Sequence, residues 1–368
     1  MAGKTYKAIG LMSGSSMDGL DVAYIEFEYE NSHIDWNIIH AETFPYSEMW
    51  QSRLINLPHQ NALSFSKTHT YYGHYLGELV NEFISKHKIE PDFIASHGHT
   101  IFHNPKENIT VQIGDGAAIA MITGYPVVSD FRTQDIAIGG EGAPLAPIAD
   151  KYLLPGYDFY LNLGGIDNIS CNINGRFVAF DIGSANQTLN AVAQGMDMEY
   201  DDDGRIAKTG ELVEPLFKKA NANEYYQEAY PKSLGNQYVQ EELVPLFVNF
   251  DALWEDKLRT ACEHIAFQIA NAISVVIKKE GFKKDAYKMI ITGGGALNSF
   301  LVSCIRKYCE GVEVHVPDRK IIEFKEAALM ALMGLLRIEN QTNTLHSVTG
   351  AIHDTISGAI HQGFKKLV

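Results

Sequence analysis

The sequence predicts a duplicated α/β protein built from two units. The first reason is its length of 368 residues, more than one ordinary core accommodates. The second is a strand, a glycine-bearing turn and a second strand close to the N-terminus. The third is the return of that pattern in the second half, each time followed by helix and strand. A cleft between two such halves is the natural place for a ligand.

The elements follow in order. "YKAIGLM" alternates as a strand, "GSSMDG" turns, and "LDVAYIEFEYE" alternates again at period two, so the start reads as a hairpin that "IDWNIIHAETFPY" continues as a meander. From Thr70 to His87 the period changes, and Tyr72, Leu76, Leu79, Val80, Phe83 and Ile84 fall on one helical face. "DFIASHGH" reads as a short buried strand, and "YPVVSDF" as another after a helix containing "GAAIAMITG". The proline-rich "APLAPIADKYLLPGY" marks the expected boundary, giving halves of 1–150 and 151–368, with the last helix able to pack back on the first half. Beyond it, "YDFYLNLGGIDNISCNING" repeats the opening theme, and "RFVAFDIGSANQTLNAVAQ" adds a strand and a helix. A long helix carries Leu258, Ala261, Ile265, Ile269, Ile273 and Val276 on one face; if exposed, that face suits a homodimer. "YKMIIT" is a strand, and "GGGALN" opens a helix with Leu301, Cys304, Ile305 and Tyr308. Residues 195–245 are polar and weakly periodic, and read as an insertion covering the cleft.

Composition narrows the function. Apolar residues make up 46% and charged residues 20%, as in soluble globular proteins. The formal net charge is −15 and no Lys/Arg run is present, which argues against nucleic acid and anionic membrane as partners. A small anionic ligand stays open, because backbone amides and a metal ion supply local positive field. The four cysteines show no C-x-x-C spacing, so reduced thiols in a cytoplasmic protein are expected. The N-terminus lacks the apolar core of a signal peptide, and no apolar run approaches the ~20 residues that span a bilayer.

Five stretches carry chemistry. "GLMSGSSMDGLDVAY" offers backbone amides and serine hydroxyls to an anion but lacks the lysine of a phosphate loop; a glycine-rich hairpin turn reads the same way. Its aspartates, Asp18 and Asp21, suit Mg²⁺ held through water rather than direct phosphate contact. In "FDIGSANQTLN", Asp181 falls where an apolar strand ends and a helix begins, a place for a general base, a metal ligand or an N-cap. "IITGGGALNSF" suits a nucleotide against a helix N-terminus, or close helix–strand packing. "SHGHTIFHNP" brings His97, His99 and His103, open to substrate contact, to architecture, or to zinc with Asp115 or Asp130. "SDFRTQDIAIGGEGAPLAP", with Arg132, Asp135 and Glu141, reads as a mobile wall of the cleft.

Taken together and in this order, "GLMSGSSMDGLDV", "SHGHTIFH", "VQIGDGAAIA", "VVSDFRTQDIAIGGEGAPLAP", "LNLGGIDNIS", "AFDIGSAN", "DDDGRIAKTG", "PKSLG" and "ITGGGALN" resemble the anhydro-N-acetylmuramic acid kinases over nearly the whole chain. The resemblance implies two ribonuclease-H-like domains of the actin-like ATPase and sugar-kinase fold with a central cleft. It also implies use of ATP and Mg²⁺ to open the 1,6-anhydro bond and phosphorylate O6, in peptidoglycan recycling in the bacterial cytoplasm. On that resemblance Asp181 matches the catalytic aspartate, and Glu326 in "FKEAALMAL" the glutamate near the active site. Gly14, Ser15, Ser16, Met17, Asp18, Gly19, Leu20 and Asp21 match the ATP-binding loop, with Asp18 holding Mg²⁺ through water. Gly164 and Gly165 form the second jaw of an ATP clamp, and Gly293, Gly294 and Gly295 the adenosine-side turn. His97, Asp130, Arg132 and Asn186 are the expected substrate contacts.

The sequence also departs from the family pattern. D-T-G-P-G-N is D-I-G-S-A-N here, the alanine of N-L-G-G-I-A-N is Asp167, and the glutamine of G-G-Q-G-A-P-L is Glu141. Extra carboxylates beside an anionic sugar and ATP disfavour binding unless they face away or hold metal. The alternatives to be weighed are therefore a nucleotide-binding relative with impaired or different sugar-kinase activity, and a zinc hydrolase built on the three histidines.

Overall fold

The computed structural model describes residues 3–14, 17–31 and 33–365. Ser15 and Ser16 of the glycine- and serine-rich loop lie outside the described residues. The first half carries β1 (Lys4–Ser13), β2 (Gly19–Glu30), β3 (His33–Pro45), β4 (Phe93–Asn104), β5 (Ile109–Ile113) and β6 (Val127–Ser129). Then come β7 (Phe159–Leu163), β8 (Ile166–Ile173), β9 (Arg176–Ser184), β10 (Tyr287–Thr292), β11 (Val312–His315) and β12 (Ala359–His361). The chain divides into two compact units, one of Met1–Pro155 with Phe324–Val368 and one of Gly156–Glu323.

In the first unit β1, β2 and β3 form an antiparallel meander, with Ala8 opposite Ile25 and Tyr24 opposite His40. β4 runs parallel to β1, and β6 parallel to β4. In the second unit β7, β8 and β9 form the same antiparallel meander; β10 is parallel to β7 and β11 parallel to β10. Numbered by order within each unit, with β5 and β12 of the first set aside, both sheets read 3-2-1-4-5. This is the ribonuclease-H-like arrangement, present twice, as the actin-like ATPase and sugar-kinase fold requires. The first unit adds β5, which folds back on β4, and β12, which lies antiparallel along β6.

Local chemistry explains the elements that position the site. The helix Ala62–His87 begins a turn and more ahead of its clear periodicity, because Asn61 caps it by accepting the Ser64 amide. It ends where Lys88 turns left-handed, and it buries Tyr72, Leu76, Val80 and Phe83 against Ile9, Leu11, Val22 and Ile94 of the sheet core. The helix Arg319–Ile338 reaches the first sheet at Gly10 of β1, where a Cβ would lie 1.8 Å from the Ala327 carbonyl oxygen. Only glycine permits that approach. The expected return of the last helix to the first half takes in Phe324–Val368, which groups with the first unit because its helix packs on β1 and its strand β12 completes the edge at β6.

The second unit is built around the helix Trp254–Glu280, whose Leu258, Ala261, Ile265, Ile269, Ile273 and Val276 are all buried in its core. By length and composition this helix resembles a membrane span, yet 67% of its most apolar window is buried inside the protein, which marks a core helix. The apolar face suggested for a dimer contact is thus occupied within the unit. All four cysteines are buried and free. Residues 195–245 form a string of short helices held to this unit, with Tyr225, Tyr226, Leu234, Val239, Leu243 and Val244 clustering over Ile166 and Ala191.

Candidate active site

In the first unit the turn between β1 and β2 is tight. Met17 sits in the left-handed region at φ 55°, its amide donates to the Gly14 carbonyl at 3.4 Å, and its carbonyl accepts from Gln51 Nε2 at 3.2 Å. Asp18 is exposed, and its Oδ1 accepts the Gly19 amide at 3.0 Å. Gly19, Leu20 and Asp21, expected in the loop, already belong to β2. Leu20 is buried in the core and Asp21 Oδ1 accepts from Thr43 Oγ1, so their side chains serve the sheet. Beneath the loop, Ser13 closes β1: Tyr46 donates to Ser13 Oγ at 2.7 Å, and Ser13 meets His99 Nδ1 at 2.9 Å. This buried chain fixes where the loop leaves the strand.

The three histidines have separate partners. His97 Nδ1 faces the Gly98 carbonyl at 3.0 Å and so carries the proton, while its Nε2 accepts from Arg132 Nε at 3.0 Å. His99 bonds Ser13, and His103 bonds Thr110 Oγ1 at 3.1 Å. With both His97 nitrogens engaged, and no cluster of three or more metal-ligating side chains among the described residues, the arrangement does not form a zinc centre. Burial, reinforced by the Arg132 charge, pushes the His97 imidazole down to about 3, so it is neutral near pH 7.

Arg132 is held by His97 on one side and donates Nη1 to the Gly142 carbonyl at 2.7 Å on the other. Burial lowers it to about 10, opposed by the charge of Glu326 on the helix Arg319–Ile338, so the guanidinium stays cationic at neutrality. Asp130, also left-handed at φ 63°, is exposed and accepts the Thr133 amide at 3.2 Å. The glycine-rich wall beyond Arg132 is anchored by Asp135, which is fully buried. Its Oδ2 accepts the Gly142 amide and its Oδ1 the Thr349 hydroxyl, both at 2.8 Å. The sequence named Asp135 only as one charge in the wall; that it is the buried residue anchoring the wall is visible in the structure alone.

In the second unit Asp181 lies within β9 rather than at its end, opposite Asn168. Its Oδ2 accepts from the Leu234 amide at 2.8 Å and from Ser233 Oγ at 3.1 Å, while its amide donates to the Lys232 carbonyl. Its carbonyl accepts from the Tyr225 hydroxyl at 2.8 Å. These partners come from the polar segment 195–245, and three of them from "PKSLG", to which the sequence reading gave no role. Among the described residues Oδ1 of Asp181 has no hydrogen-bond partner. Burial raises the Asp181 carboxyl above its ordinary value, and the Leu234 and Ser233 donors oppose the rise.

The second glycine turn meets the helix that follows Asp181. The Asn186 amide donates to the Gly164 carbonyl, and the Ala185 and Gln187 amides to the Gly165 carbonyl, so this helix start is closed by the turn. Asn186 Nδ2 donates to the Leu163 carbonyl at 3.1 Å. The triple glycine packs against the same place. A Cβ on Gly293 would lie 2.6 Å from Asn162 Oδ1, and one on Gly295 2.8 Å from Leu163 Cβ and 3.0 Å from Asn186 Oδ1. "GGGALN" is a separate short turn, Gly294–Leu297; the helix Ser299–Tyr308 begins only after Asn298, which caps it. Gly164, Gly165, Asn186 and Gly293–Gly295 thus converge around Leu163.

Sequence and structure comparisons identify the relatives of this chain. The family model for anhydro-N-acetylmuramic acid kinase matches residues 6–363. The anhydro-N-acetylmuramic acid kinase of Coxiella burnetii is 33% identical to this chain over 97% of it and 98% of the relative. That of Sulfurovum sp. is 30% identical over 96% and 98%. Among solved structures, the activator of 2-hydroxyisocaproyl-CoA dehydratase from Clostridium difficile, with bound ADPNP, aligns at 15% identity and a TM-score of 0.41 over 91% of this chain and 97% of its own. On the family-model match over residues 6–363 and the relatives at 30–33% identity along nearly its whole length, the chain belongs to the anhydro-N-acetylmuramic acid kinase family.

Proposed function

We propose that the protein is an ATP-dependent kinase that opens the 1,6-anhydro ring of anhydro-N-acetylmuramic acid with water and phosphorylates O6, giving N-acetylmuramic acid 6-phosphate in the cytoplasm. The observation that carries the reading is Asp181, a half-buried carboxyl with one oxygen fixed by two donors and the other without a partner among the described residues. Such a group is oriented and still able to accept a proton. Water attacks C1 and gives one proton to Asp181 Oδ1, the C1–O6 bond breaks, and O6 takes the γ-phosphoryl group as ADP leaves. The raised proton affinity of Asp181 suits it to this exchange near neutral pH.

The other roles follow the same reading. In the first unit Gly14, Met17, Asp18 and Gly19 line the phosphate loop, Arg132, His97 and Asp130 contact the acidic sugar, and the Glu326 charge favours the cationic form of Arg132. In the second unit Asn186 contacts substrate and the turns at Gly164–Gly165 and Gly293–Gly295 receive the nucleotide. The exposed Asp18 carboxylate, with one oxygen accepting the Gly19 amide, fits a hard cation held through water. Mg²⁺ bound there supplies charge neutralisation for the phosphates. The test is incubation with ATP, Mg²⁺ and anhydro-N-acetylmuramic acid in ¹⁸O water, read by mass spectrometry. One label at C1 with phosphate on O6 is expected; phosphorylation without label defeats the hydrolytic step, and nucleotide binding without product defeats the kinase reading.

A further inference from the structure

We propose that Asp167 is a positioning residue for Asp181, a buried carboxyl that is neutral when Asp181 is ionised and whose own ionisation closes the active pH range from the alkaline side. The proposal rests on the kinase reading above for the identity of the reaction, and on geometry for the state of Asp167.

The two carboxyls belong to adjacent strands. A bulge in the β8–β9 register sets Asp167 opposite Gly183 and Asn168 opposite Asp181, so Asp167 is the diagonal neighbour of the candidate base. Asp167 is only 1% exposed, and among the described residues neither of its oxygens has a hydrogen-bond partner. A charged carboxylate in that position is costly, whereas the neutral acid is tolerated.

The groups facing it pull in both directions, and burial decides between them. From β9 comes the Asp181 charge, which opposes a second negative charge, and the Gly183 amide, which favours it weakly. From the short helix Glu224–Gln227 comes Tyr226, whose hydroxyl would lie 2.9 Å from a Cβ on Gly183. That hydroxyl has no proton to offer Asp167. His264, on the helix Trp254–Glu280, gives its Nδ1 proton to Asn221 Oδ1 at 2.8 Å, so its Nε2 takes the Tyr226 proton at 3.0 Å. Lys232 is the cation that favours ionisation, but its ammonium donates to the Tyr225 carbonyl at 2.7 Å and sits 4.0 Å from the Tyr225 ring centroid. The Tyr225 hydroxyl donates to the Asp181 carbonyl. Burial first, then the Asp181 charge, pushes the Asp167 carboxyl up to about 7. Asp181, with two donors on Oδ2, loses its proton first.

The consequence is an alkaline limit. Once Asp167 ionises, two adjacent negative charges face an acidic sugar and ATP, and productive binding falls. Asp167→Asn keeps the shape and removes the ionisation. In the native protein kcat/KM is expected to decline by up to tenfold per pH unit above about 7. In Asp167→Asn the alkaline limb moves up by a unit or more while the acid limb set by Asp181 stays. Identical alkaline limbs in the two proteins overturn the proposal. Urea unfolding from pH 5 to 8 reads the same proton without substrate: the native protein is expected to lose stability relative to Asp167→Asn as pH rises. If that loss appears without turnover, the kinase reading fails and the Asp167 assignment stands. Turnover with parallel stability curves has the opposite meaning. Asp167→Ala is measured identically, so poor folding of one variant leaves the comparison intact.

Discussion

Replacing Asp135 distinguishes a buried anchor from an ordinary polar residue. Its carboxyl is 0% exposed and accepts two hydrogen bonds of 2.8 Å, from the Gly142 amide and the Thr349 hydroxyl. Asp135→Ala removes both acceptors at once and leaves a buried amide proton and a buried hydroxyl proton without an acceptor. The expected loss is about 3–5 kcal/mol, the cost of breaking a buried charge-assisted network by deleting one member. Asp135→Asn behaves differently. Its carbonyl oxygen can accept the Gly142 amide while its NH₂ donates to the Thr349 oxygen, so only charge assistance is lost, about 1–2 kcal/mol. Urea unfolding followed by tryptophan fluorescence checks both numbers. Trp36 and Trp50 lie in the first unit and Trp254 in the second, so a Trp254→Phe background reports the first unit alone. A loss below about 1 kcal/mol for Asp135→Ala, or equal losses for the two variants, refutes the reasoning. Because Gly142 also receives Arg132 Nη1, Asp135→Ala should raise KM for the sugar more than Asp135→Asn does.

Other outcomes follow from the same structure. Asp181→Asn should reduce kcat by ~10² or more while calorimetry shows ATP binding retained, since a positioned base contributes that much. His97 binds fewer protons folded than unfolded between pH 6.5 and about 3, so its contribution is present above pH 6.5 and lost as pH falls. Acid titration of the first unit should show this, and His97→Gln should flatten the slope by one proton. Gly10→Ala forces a methyl to 1.8 Å from the Ala327 carbonyl oxygen. It should destabilise the first unit by about 3 kcal/mol, read as a lower urea midpoint.

Much of the architecture was legible because its signals are local. Period-two alternation and glycine turns placed β1, β2, β7, β8 and β9, and an apolar stripe placed the core helix Trp254–Glu280. The short strands β5, β11 and β12 carry too few residues to show a period, and their pairing is fixed by partners distant in sequence. The segment 195–245 was opaque for a related reason. Its short helices are held by contacts such as Leu234 to Asp181 and Asn221 to His264, which leave no stripe in the sequence. At the site, Asp181, Arg132 and Asp135 stood out, but Ser233 and Leu234, which support Asp181, did not. Leu20 and Asp21 follow the loop directly, and that they begin β2 is fixed by pairing with β3, a partner distant in sequence.

The return of Phe324–Val368 to the first unit has a consequence for synthesis on the ribosome. Domains usually fold in the order in which they emerge. Here Gly156–Glu323 leaves the exit tunnel whole, able to close its five-stranded sheet at once. The earlier-made first unit must wait, with the face of β1 at Gly10 bare and the edge of β6 open, until the helix and β12 arrive. An exposed strand edge invites pairing with a neighbouring nascent chain. Translation pauses at any point before Phe324–Val368 has emerged should therefore favour aggregation.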